Sequence, residues 1–177
     1  MRSLVAFGTK YGSTEKVAET IADVLRSSGH TVDVADLRRK SVLELDDYDM
    51  VVVGSSIIVG GWSKGSKRFL EENCEALRRK RVSMFVCCSQ SYLRPEERDD
   101  QMRNFLTNVA QTHGLKPESL GLFGGEMDFD KYGFMVKAVL KKVGVNRELE
   151  GAGVDTSQRF DFRDWDAIRE WASELSQ

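Results

Sequence analysis

Hydrophobic positions change their period repeatedly along the chain. Leu4-Val5-Ala6-Phe7 is a short unbroken apolar run ending at Gly8, and from Glu15 the apolar positions Val17, Ile21, Val24 and Leu25 recur at helical spacing until Gly29. A strand, a loop and a helix are predicted in that order. Thr31-Val32-Asp33-Val34-Ala35-Asp36 then alternates, as a half-buried or edge strand does. Met50-Val51-Val52-Val53-Gly54 is apolar throughout, which suits a central parallel strand covered on both faces. Helical spacing returns over Lys64 to Arg79, a third apolar run spans Val82 to Cys88, and a further helix covers Glu97 to His113. Leu120 to Phe123 is the fifth strand, and the last helix runs from Trp165 to Leu175.

Strands and helices thus alternate five times. Right-handed crossovers return each helix over a sheet face, so the pattern predicts an α/β fold, a doubly wound five-stranded parallel sheet with helices on both faces. A mixed α+β layer is the alternative. No repeat or Pro-rich linker interrupts the order, and one domain over residues 1–177 is expected. The stretch from Glu126 to Arg163 is too long for a simple connection and reads as an insertion after strand five.

Composition narrows the classes. With 26 basic and 28 acidic residues the formal charge is −2, so no global field draws the chain to nucleic acid or anionic lipid. Three cysteines, Cys74, Cys87 and Cys88, without C-x-x-C or zinc-type spacing, argue against a disulfide framework and a metal site, and fit a reducing cytoplasm. The apolar run at the N-terminus is too short for a signal peptide, and no stretch approaches the roughly 20 apolar residues that span a bilayer.

The candidate chemistry sits at strand ends. Gly8-Thr9-Lys10-Tyr11-Gly12-Ser13-Thr14-Glu15 joins the first strand to the first helix, where free backbone N–H groups and the helix dipole favour an anion. It lacks the spacing of a triphosphate or dinucleotide loop. A hydroxyl-rich turn of this size suits a terminal monophosphate, with Thr9, Ser13 and Thr14 as side-chain ligands and Gly12 allowing close backbone approach. An ordinary capped turn, with Ser13 or Thr14 as N-cap, is the alternative. After the third strand come Ser55-Ser56-Ile57-Ile58-Val59-Gly60-Gly61-Trp62, and after the fourth Ser89-Gln90-Ser91-Tyr92. In a doubly wound sheet these loops converge on the phosphate loop at the switch in strand order. Gly60 and Gly61 would let amides approach a heterocycle, and Trp62 and Tyr92 could stack on it.

These residues resemble the flavodoxin family, whose signature is a hydroxyl- and glycine-rich loop after strand one, here Thr9-Lys10-Tyr11-Gly12-Ser13-Thr14. More narrowly, the chain is similar to the menaquinone-dependent protoporphyrinogen dehydrogenase branch. The residues that carry this are Gly54-Ser55-Ser56-Ile57 followed by Gly60, Arg94-Pro95-Glu96, and Gly124-Gly125 leading into an insertion that ends near Asp164-Trp165. The resemblance implies a flavodoxin-like sheet and FMN as cofactor. Its phosphate would lie in the first loop, and its ring beside Ser55, Ser56, Ile57, Gly60, Ser89 and Gln90. It implies electron transfer from a small organic donor such as protoporphyrinogen IX to a quinone. A flavodoxin-type carrier between redox proteins is the rival, and a flavin-free binding module, suggested by the unusual Lys10-Tyr11, is a third class. No residue is assigned as an acid or base.

Between Lys131 and Arg147 there are five basic residues and no acidic one. Tyr132, Met135, Val136, Val139, Leu140 and Val143 would share one helical face, with Lys137 and Lys141 opposite. Such a segment could contact the inner membrane face peripherally or an anionic partner, or simply pack over the sheet. The acidic flanks Asp128, Asp130, Glu148 and Glu150 weaken the membrane reading. Cys87 and Cys88 are expected as buried core residues, His30 and His113 as solvent-facing turn residues, and Arg78 to Arg81 as a solvated helix end.

Overall fold

The computed structural model describes residues 1–39, 44–58, 60–128 and 159–177, together with residues 130, 133, 134, 137, 138, 142, 149, 151 and 153. Five parallel strands form the sheet: β1 (Arg2–Gly8), β2 (Thr31–Asp36), β3 (Met50–Ile58), β5 (Arg81–Cys87) and β6 (Ser119–Phe123), in the order β2-β1-β3-β5-β6. A two-residue strand, β4 (Gly61–Trp62), folds back antiparallel on the end of β3. The loop expected after the third strand is therefore a continuation of that strand and a tight return.

Each strand sorts its side chains by alternation. Leu4 and Ala6 of β1, Val51 and Val53 of β3, and Val82, Met84 and Val86 of β5 enter one core, closed by the helix α2 (Lys64–Leu77) and by Leu106 and Ala110 of the later helical run. Val5 and Phe7, Met50 and Val52, and Phe85 and Cys87 enter the other, closed by the helices α1 (Ser13–Ser27) and α6 (Trp165–Glu174). Continuous apolar runs follow because both faces are covered. Gly54 is required for fit: a Cβ there would lie 2.2 Å from Cζ of Phe85. That ring in turn packs on Phe123 and Trp171, with centroids 6.0 and 6.2 Å away.

The expected helix over Glu97–His113 is a composite. A one-turn 3₁₀ segment (Pro95–Glu97) leads into α4 (Arg98–Met102), a π-helical turn (Arg103–Thr107) and α5 (Asn108–Thr112). The widened turn has a cause. Trp62 Nε1 donates to the Phe105 carbonyl at 2.6 Å, and an outside donor at a helix carbonyl displaces the regular ladder. Ser89 to Tyr92, expected as a loop, opens a one-turn helix, α3 (Gln90–Leu93).

Glu126–Met127 (β7) and Phe160–Asp161 (β8) pair antiparallel at the base of the insertion. Met127, Leu149 and Phe162 form a small third core there. The expectation of a basic amphipathic helix falls largely on Lys131, Tyr132, Met135, Val136, Val139, Leu140, Lys141, Val143 and Arg147, which lie outside the described residues. Among the described residues, no helix is long and apolar enough to cross a membrane.

Two surface expectations change. His30 is partly buried, with Nδ1 2.9 Å from Ser3 Oγ, and burial lowers its pKa below the ordinary histidine value. The basic run is not simply solvated. Arg78 donates to the His113 carbonyl at 2.8 and 3.0 Å, Lys80 to the Asp46 carbonyl, and Arg81 pairs with Glu118. These cations tie loops together at the amino-terminal edge of the sheet.

Candidate functional site

Strand order reverses between β1, which continues to β2 on one side, and β3 on the other. That divergence opens a crevice at the carboxyl ends of the central strands. The loop after β1 fills one side of it. Gly12 is the N-cap of α1, with φ 94°, so neither Ser13 nor Thr14 caps the helix, and no side chain does. A positive φ favours glycine, and nothing lies within 4 Å of where its Cβ would stand. The Gly12 N–H donates to Thr9 Oγ1 at 3.0 Å, which draws the loop into a tight turn and leaves the buried Thr9 hydroxyl its own proton to donate. Thr14 is fully buried, and its Oγ1 stands against the Cys87 thiol. A buried hydroxyl with a proton to donate, as at Thr9, has the donor chemistry for an anion. Lys10 is exposed and rests over the Tyr11 ring, 5.3 Å from its centroid.

The other two loops divide into supports and available groups. Ser55 is fully buried; its Oγ donates to the Ser56 carbonyl and accepts the Ser63 N–H at 2.9 Å, so it braces β3 against the start of α2. Ser91 Oγ likewise donates to the Cys88 carbonyl at 2.7 Å. Ser56 Oγ is buried and unpartnered, Ile57 is half-buried, and Gly60, with φ 75°, faces open space. Beside Gly61 the nearest atom to an added Cβ is Lys67 Nζ. Ser89 and Gln90 are half-buried.

The two aromatic candidates behave differently from the sequence expectation. Trp62 is only 6% exposed and turns into the core, where its indole N–H holds Phe105. Tyr92 is 57% exposed, but one face of its ring rests on Phe162, with centroids 4.7 Å apart. The loop after β1, Ser56-Ile57, Gly60-Gly61 and Ser89-Gln90 lie at or just beyond the carboxyl ends of β1, β3 and β5, whereas the Trp62 ring is turned into the core.

One residue absent from the sequence reading stands beside them. Arg163, with its side chain 1% exposed, donates Nη1 to the Ser13 carbonyl at 2.9 Å. Its Nε and Nη2 grip Asp161, each at 2.7 Å, and Nη2 also meets Glu126 at 2.7 Å. The guanidinium lies over Trp165, 4.6 Å from the ring centroid. Burial works against the Asp161 carboxylate, yet the Arg163 hydrogen bonds hold its pKa below the ordinary range. The only local signal was an arginine two residues after one aspartate and directly before another.

Cys87 and Cys88 are buried, as expected. Burial pushes the Cys87 thiol up to about 12, and the Thr14 hydroxyl and Arg163 only partly oppose it. A thiol this hard to ionise is a poor nucleophile. Iodoacetamide at pH 8 should label Cys74, which is half-buried, before either of the other two in the folded protein; mass spectrometry showing Cys87 labelled first would contradict this burial. No cluster of metal-ligating side chains occurs among the described residues.

Comparison with known proteins agrees with this architecture. The family model described as "Flavodoxin domain" matches residues 4–152. Protoporphyrinogen IX dehydrogenase [quinone] of Escherichia coli (strain K12) is 24% identical over 180 residues, covering 99% of this chain and 95% of that protein. The flavodoxin of Streptococcus pneumonia TIGR4 superposes with a TM-score of 0.57 at 16% identity, covering 99% of this chain and 95% of the other. A flavoprotein of Lactobacillus acidophilus NCFM in complex with FMN gives 0.52 at 14% identity, covering 68% and 92%. A glycine- and hydroxyl-bearing first loop, a β2-β1-β3-β5-β6 parallel sheet and a family match over most of the chain lead to one assignment: the chain belongs to the flavodoxin family.

Proposed function

We propose that this protein binds FMN in the crevice at the carboxyl ends of β1, β3 and β5 and works as an oxidoreductase. In this reading it takes electrons from a small organic donor of the protoporphyrinogen IX class and delivers them to a quinone. The carrying observation is the likeness to a quinone-dependent protoporphyrinogen dehydrogenase over 99% of the chain, so that it includes the insertion. The donor set fits the cofactor. Thr9, Ser13 and Thr14 offer hydroxyls, and the start of α1 offers N–H groups and the positive end of its dipole to a phosphate. Ser56, Ile57, Gly60, Gly61, Ser89 and Gln90 would flank the ring, with Tyr92 at the rim. Bound flavin supplies the electron-transfer chemistry, while the chain orients it and limits the access of water. A carrier that exchanges electrons only with protein partners is the second reading, favoured by the fold itself.

FMN titration of the flavin-stripped protein, followed by anaerobic reduction and reoxidation with a soluble quinone, tests the proposal. Tight binding with quinone turnover, then oxidation of protoporphyrinogen, is expected. Binding without turnover would favour the carrier, and no binding would sink both. Replacing Ser13 and Thr14 together by alanine should weaken FMN binding by about tenfold or more, since two hydroxyl donors are removed. Unchanged affinity in the same titration would exclude these side chains from the site.

A further inference from the structure

The Arg163 guanidinium is the one buried cation beside the phosphate loop among the described residues, and its contacts argue against a direct grip on a phosphate. Asp161 and Glu126 hold its fork, and Arg159 pairs with Glu126 at 2.6 Å. Two arginines and two carboxylates cancel, so the group has no surplus charge to offer. Its remaining bond, to the Ser13 carbonyl, is the informative one.

Ser13 opens α1, and its carbonyl belongs to the same planar peptide as the N–H of Thr14. In a trans peptide these two groups point in opposite directions, so holding the carbonyl fixes the aim of the N–H. That N–H is among the first four of the helix, which have no intrahelical acceptor. Arg163 itself is placed by β8 and by the hydrogen bond from the Phe162 N–H to the Gly125 carbonyl, at 2.9 Å. The bond to Ser13 therefore crosses from the base of the insertion to the phosphate loop.

We propose that Arg163 is a positioning residue for the phosphate of the flavin. It orients the Ser13–Thr14 peptide toward the anion, and so makes the grip on that phosphate depend on closure of the β7–β8 pair. This rests on the FMN reading above. It acts through geometry, which separates it from a charge effect: lysine retains the charge but cannot form the fork.

The test compares FMN with riboflavin, which lacks the phosphate, by fluorescence titration of stripped wild type, Arg163→Gln, Arg163→Lys and Asp161→Asn. Thermal melts accompany each protein. FMN affinity should fall by about tenfold in Arg163→Gln and nearly as far in Arg163→Lys, with riboflavin affinity within about twofold of wild type. Asp161→Asn, which loosens the fork without removing it, should shift the FMN-to-riboflavin ratio part of the way and keeps the test available if the arginine variants fold poorly. An unchanged ratio, or equal losses for both ligands, would overturn the proposal, as would full recovery by lysine. A wild type that binds neither flavin would instead refute the flavin reading itself.

Discussion

Phe85→Ala should lower the free energy of unfolding by about 3–5 kcal/mol. Phe85 is fully buried on the interior strand β5 and fills the space above Gly54 on β3. Its loss leaves a cavity walled by Phe123 and Trp171, two aromatics whose edge-to-face contact, with centroids 5.5 Å apart, keeps them from collapsing inward. The contact can be tested from its other side. Gly54→Ala alone should also destabilise, since the new methyl would meet the ring, whereas in a Phe85→Leu background it should cost less. Urea midpoints of the four proteins give the coupling directly. Additive effects would mean that the ring and the glycine do not share this space.

Gly124→Ala is expected to have the second largest effect, and a more local one. A Cβ at that position would lie 1.9 Å from the Phe162 carbonyl oxygen and 2.6 Å from its carbon. Because the clash is with backbone, no rotamer change relieves it, and β8 must move away from the end of β6. Overpacking of this kind typically costs about 1–3 kcal/mol. The movement would also stretch the hydrogen bond between Phe162 and Gly125 and pull Arg163 from Ser13. Hydrogen exchange at the Phe162 amide should accelerate by about tenfold or more while the amides of β3 and β5 change little. Uniform acceleration would indicate global destabilisation, and no acceleration would place the hairpin elsewhere.

The sheet was legible because its strands are extreme in composition. Met50 to Val53 can be hydrophobic at every position only if both faces are covered, and that requirement predicts a central parallel strand. The turn between β1 and α1 was equally legible, since Gly8 and Gly12 break the apolar period between the strand and the helix. Trp62 was not. A tryptophan after two glycines looks available for stacking, and its burial depends on a carbonyl 43 residues later, at Phe105, which no local pattern announces. The continuation of β3 through Ile58 and the return at Gly61–Trp62 were hidden for the same reason: the serines there look like loop residues, yet Ser55 is polar because it braces Ser63. Arg163 lies farther still, 150 residues from the carbonyl it holds. Sequence reports what a side chain is able to do, and long-range partners decide which of those abilities it uses.

The pairing of Met127 with Phe160 sets the two ends of the insertion opposite each other in an antiparallel ladder. Partners in such a ladder stand about 5 Å apart, a gap that a two-residue turn spans. The chain therefore leaves this ladder at Met127 and rejoins it beside the same point at Phe160. A protein shortened to a tight Asn-Gly turn at this junction would keep every strand of the main sheet while losing Leu149 from the third core and Arg159 from Glu126. The same junction would accept a foreign segment whose ends lie equally close, which makes it a natural grafting point on this scaffold.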